Sequence, residues 1–129
     1  MAAVNFARRV FLFATAFGFL VVPPLFFLEG TLGRQFPPEI THPEFYYGFA
    51  GAVLSWQVVY LLIALDPPRY RPLMLLGALC KASFAIAVFT LVALGRTPLG
   101  PSLLVLGDVV LTPLFVWAFW ATRNAEALR

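Results

Sequence analysis

The sequence has one cysteine and one histidine, and charged residues make up only 12% of its 129 positions. A lone Cys80 cannot close an internal disulfide. With no CxxC or CxxCH, a dithiol redox motif and covalent c-type haem attachment are excluded too. A lone His42 excludes an internal bis-His haem and a His-rich metal centre. It also falls outside the apolar runs, and with few nucleophiles available no Ser-His-Asp set is in prospect. There is no glycine-rich phosphate loop, no internal repeat and no low-complexity tract. Without inverted repeats, a free-standing secondary transporter is not expected. Neither a metal nor a cofactor is called for.

What the chain has in quantity is apolar side chains, 61% of the total. A soluble domain carries about a quarter charged residues, so this chain reads as a single integral membrane domain over 1–129. Four apolar runs stand out, at about residues 10–28, 45–65, 72–94 and 102–122. Each approaches the ~20 residues that cross a ~30 Å hydrocarbon core. They end at Glu29-Gly30, Asp66-Pro67-Pro68, Gly95-Arg96-Thr97-Pro98 and Arg123-Asn124, none of which extends a helix comfortably in lipid. Period-2 alternation is missing and the runs are too long for strands. The fold class expected is all-α, a four-transmembrane-helix up-down-up-down bundle.

The net charge of +3 comes from arginines clustered at segment ends instead of along a stripe, which argues against nucleic acid. Arg8, Arg9, Arg69, Arg71, Arg123 and Arg129 fall on one side of such a bundle, and only Arg34 and Arg96 on the other. The positive-inside rule then puts both termini in the cytoplasm, for a multi-pass protein of a cell inner membrane. Arg8-Arg9-Val10-Phe11-Leu12 resembles a twin-arginine export motif and Ala14-Thr15-Ala16 a cleavage site. Only Val10 to Phe13 separates them, too short for a signal-peptide core, so an uncleaved first helix is expected. Pro23-Pro24, in its outer third, should kink it or loosen its last turn. Residues 29–44, rich in glycine and proline, read as an irregular, stiff outer loop, and 124–129 as a short helical extension or frayed tail.

Two charges lie inside these runs, Lys81 in the third and Asp108 in the fourth. A charge at mid-bilayer costs about 2.5–3.5 kcal/mol on insertion scales, so it faces the bundle interior and finds a partner. At 1.5 Å per residue the two differ in depth by roughly 7–8 Å, a gap that a lysine stem largely spans. Gln57 falls near the level of Lys81, and Thr112 lies one turn from Asp108 on the same face. Gly77, Ala78, Ala82 and Ala85 flank Lys81 and mark a closely packed side. Cys80 beside it reads as a small apolar residue.

Trp56 and Tyr60 could supply aromatic walls, which makes Lys81, Asp108, Gln57, Thr112, Trp56, Tyr60 and Glu44 the ligand-binding candidates. Asp108 and Lys81 are the catalytic candidates. At the outer mouth, His42, Glu44, Tyr46 and Tyr47 open the second span, with Glu29 and Glu39 nearby. Together they could take a cation or polar headgroup. Helix-dipole and aromatic-belt roles account for each of them, and that reading is the favoured one. Trp117 and Trp120 read as interface anchors.

The four spans, the His-Pro-Glu-Phe-Tyr-Tyr-Gly opening of the second and the Asp-Pro-Pro-Arg-Tyr-Arg inner turn together resemble the small bacterial DoxX-like membrane proteins, which are mostly without an assigned activity. A second likeness is to the four-helix sterol isomerase and sigma-2 receptor family. That likeness implies a sterol-like ligand held between helices by acidic residues, whereas here the deep charges are Lys81 and Asp108.

Two functions stay open on this reading. One is an accessory or interaction subunit of a membrane assembly, with the polar pair fixing helix register. The other is a small membrane enzyme or binding protein for a quinone, isoprenoid or sterol-like molecule, with Asp108 as base and Lys81 stabilising its anion. The partners implied are the lipid bilayer, a hydrophobic small molecule, and a membrane-protein partner or second copy.

Overall fold

Proline and glycine set where the helices of this chain stop. The computed structural model describes residues 1–125; every element is helical and no strand occurs among the described residues. Arg129 and the rest of 126–129 lie outside them. Helix α1 (Ala2–Val21) ends just ahead of Pro23-Pro24. Neither proline has an N–H, so the i→i−4 ladder is interrupted twice. The chain turns through tighter bonds, Leu25 N–H to Val22 O at 3.0 Å and Phe26 N–H to Pro23 O at 3.1 Å, and restarts as α2 (Leu25–Gln35).

This corrects two sequence expectations. The first span starts at Ala2 and breaks at the prolines, in place of a kinked run over 10–28. Helix α2 covers the first part of the expected outer loop 29–44, leaving irregular chain only up to His42. Arginine is a good helix former, so Arg8-Arg9 did not delay α1. Glycine costs about 1 kcal/mol per helical position without ending a helix, and α2 carries both Gly30 and Gly33. At Gly33 the returning chain packs close, and an added Cβ would lie 3.4 Å from Glu39 Cα.

Helix α3 (Pro43–Leu65) starts with proline at its first position, where the missing N–H costs nothing, and stops at Asp66-Pro67-Pro68. Helix α4 (Arg71–Ala93) closes in a Schellman motif: Arg96 N–H reaches Leu91 O at 2.9 Å and Gly95 N–H reaches Val92 O at 3.0 Å. Gly95 takes the left-handed conformation the motif requires, with φ +66°. A short α5 (Leu99–Ser102) and a 3₁₀ turn (Leu103–Val105) lead into α6 (Leu106–Ala121). Four described helical segments are long and apolar enough to cross a membrane: α1, α3, α4 and Leu103–Ala121.

The core is aromatic. Phe11 stacks on Phe115 with ring centroids 4.2 Å apart, and Tyr60 meets Phe115 edge-on at 5.1 Å. Ile63, Met74 and Leu111 complete it, and α4 comes close because residue 77 is glycine. A Cβ there would sit 3.0 Å from Tyr60 Cε1 and 3.3 Å from the Phe115 ring.

One end of the bundle is fastened by arginine. Arg8 on α1 donates through Nε to Ala64 O in the last turn of α3, at 3.2 Å. Arg71 at the start of α4 donates to Phe119 O in the last turn of α6, at 3.0 Å, with its guanidinium 3.8 Å over the Phe119 ring. Each cation thus meets a C-terminal carbonyl that the helix's own amides leave open, where the dipole also favours it, and Phe119 O takes the Thr122 hydroxyl as well at 3.3 Å.

The outward faces are apolar as well. Phe13, Leu20, Leu79, Ile86 and Val110 are all more than half exposed. A water-facing bundle would turn charged residues outward; these surfaces match lipid, and the four spans are those of a small multi-pass membrane protein.

Candidate functional site

In the half of the bundle away from the Arg8 and Arg71 ties, a partly open cleft of about 170 Å³ lies between α1, α3, α4 and α6. The charged pair from sequence is in its lining. Lys81 Nζ donates to Asp108 Oδ1 at 2.5 Å, with the two side chains 12% and 19% exposed. Lys81 also lies 5.3 Å from the Tyr60 ring centroid and 5.9 Å from that of Phe115, within cation–π range. Asp108 falls in the first turn of α6, directly after the 3₁₀ turn that leads into it. Its second oxygen takes no hydrogen bond from a described residue, and the side chain lines the cleft. The pair is charge-balanced, mostly withdrawn from solvent, and retains a free acceptor and spare N–H donors.

Trp56 and Tyr60 stand in the walls as expected, and the rest of the walls come from residues that the sequence did not single out. Phe17, Phe49, Phe84 and Leu104 line the cleft with Trp56 and Tyr60, and Phe49 and Phe84 sit 5.2 Å apart, ring to ring. On helices apolar nearly all round, a wall residue has the same chemistry as one facing lipid, so no pattern distinguishes them. Cys80, taken as a small apolar neighbour of Lys81, is also in the lining.

Gln57 borders the cleft but its polar groups are turned to the protein. It is 3% exposed, and Nε2 donates to Val53 O one turn back at 2.8 Å. Its Oε1 has no hydrogen-bond partner and lies where a side chain on Gly18 would be. Thr112 is not in the lining: its hydroxyl donates to the Asp108 backbone carbonyl at 2.7 Å instead of reaching the carboxylate.

The mouth residues are separate from this cleft. His42 Nδ1 and Glu44 Oε1 pair at 3.1 Å on the exposed surface at the start of α3. Tyr46 donates to Leu25 O at 2.6 Å and Tyr47 to Glu29 Oε2 at 2.7 Å, so both phenols hold α2 against α3. Among the described residues no group of three or more His, Cys, Asp and Glu is placed to hold a metal. Trp117 and Trp120 are 68% and 59% exposed near the end of α6, apart from the cleft.

No family model, curated protein or solved structure matches the chain.

Proposed function

We propose that this protein binds the polar end of an apolar molecule between its helices, as a four-span up-down-up-down bundle with both termini in the cytoplasm of a cell inner membrane. One observation carries the reading: the Lys81–Asp108 pair lines a partly open, aromatic-walled cleft instead of being sealed by side chains. The pair keeps hydrogen-bonding capacity facing that cavity, where a few convergent polar groups in an otherwise apolar pocket can orient a ligand. The orientation is supported by the arginine ties, which bring Arg8 and Arg71 to one end of the bundle. The cleft then belongs to the outer half, reached from the outer leaflet.

Native purification in lipid nanodiscs, with mass spectrometry of what is retained, tests this. The expected result is an apolar small molecule at up to one per chain, lost from folded Asp108→Asn protein. A stoichiometric protein partner with no retained small molecule overturns it and favours an accessory subunit.

A further inference from the structure

We propose that the cleft selects an uncharged, hydroxyl-bearing head on an apolar tail and rejects the same tail ending in a carboxylate or an ammonium. This rests on the ligand-binding reading above and adds the chemistry of the head. Lys81 and Asp108 already neutralise each other at 2.5 Å. A carboxylate entering the cleft draws Lys81 toward itself and sets a second anion beside Asp108. An ammonium does the reverse. Either leaves a net charge in a region with little water to solvate it. A hydroxyl is donor and acceptor at once. It donates to the second oxygen of Asp108 and accepts from a remaining N–H of Lys81, leaving the existing bond intact.

Size restricts the head further. The cleft measures about 170 Å³, close to the ~150 Å³ of an apolar cavity that takes one benzene ring. That suits one ring or a short chain segment with its hydroxyl, and a fused four-ring sterol nucleus exceeds it. The remainder of a longer molecule must leave the cleft. Phe49 and Phe84 line it and remain 43% and 37% exposed, so the cleft is open along their edge. The tail runs out along that edge into the bilayer.

The test uses three photoactivatable sixteen-carbon probes with identical diazirine tails and an alcohol, carboxylic acid or primary amine head. They are applied to the whole protein in phosphatidylcholine nanodiscs at about pH 8.5, where the acid is ionised and the amine still protonated. The alcohol should label cleft peptides of α1, α3 and α4 about tenfold more than either charged head. In folded Asp108→Asn the carboxylate should overtake the alcohol, and in folded Lys81→Met the amine should. Equal labelling of the wild-type cleft by all three heads overturns head selection and leaves cleft binding standing. Labelling of the cleft by none of them overturns both. The wild-type comparison decides even where a variant does not fold.

Discussion

The Gln57 side chain occupies the space that a side chain on Gly18 would need, which fixes the spacing of α1 against α3. Gln57 Nε2 is tied to Val53 O, so the amide cannot swing away without losing that bond. Gly18→Ala should therefore destabilise the bundle by about 1–3 kcal/mol, the usual cost of overpacking. Gln57→Ala in the same chain should recover much of the loss. A double-mutant cycle of unfolding in mixed micelles measures the coupling, and additive losses would show that the two residues do not compete for this space.

Lys81 and Asp108 make the opposite kind of pair, in which each side chain is needed because the other is there. Removing one leaves a charge without its partner between apolar helices. Lys81→Met should cost about 3–5 kcal/mol. Replacing both by apolar residues of similar volume should restore most of that stability, since no charge is left to desolvate. Thermal melts of the two single variants and the double variant in nanodiscs check this. A double variant no more stable than Lys81→Met would mean that the loss comes from packing instead of from the unpaired carboxylate.

Arg71 combines a charge-assisted hydrogen bond to Phe119 O with a cation–π contact on the same residue. Truncation to alanine should cost about 2–3 kcal/mol, from a bond worth roughly 1.5–3 and a ring contact worth about 0.5–1 at a wet interface, less what water recovers. A lysine in its place would keep the charge but not the planar donor stacked on the ring, so Arg71→Lys should recover less than half. Hydrogen exchange at the last turn of α6 reads the effect locally, and unchanged protection there in Arg71→Ala would overturn it.

The spans were legible because about twenty consecutive apolar residues suit a bilayer and little else. Lys81 and Asp108 were legible because mid-span charges stand out and need a partner. Thr112 had the right spacing, but at i+4 its hydroxyl meets the Asp108 backbone carbonyl before it meets the carboxylate. Gln57 sat at the right depth, but the amide orientation depends on Gly18 of another helix, which no local pattern records. Arg8 and Arg71 were read only as topology signals, because their acceptors lie 56 and 48 residues away in the chain. Helix α2 was hidden by its glycines and the prolines that flank it.

Helix α2 is held to α3 by the two phenols, and Tyr46 and Tyr47 differ in what their bonds are worth. Tyr46 donates to a backbone carbonyl, Leu25 O, at the first residue of α2, and is partly buried; Tyr47 is exposed and donates to the Glu29 carboxylate at the surface. Leu25 also lines the cleft, so α2 begins at its rim. Tyr46→Phe should loosen the start of α2 by about 1 kcal/mol, a roughly fivefold rise in opening, while Tyr47→Phe should do less because water replaces its partner. Amide exchange in Leu25–Gln35 should accelerate accordingly while α4 and α6 stay unchanged. If Tyr47→Phe had the larger effect, the Glu29 contact and not the Leu25 carbonyl would be the stronger attachment of α2.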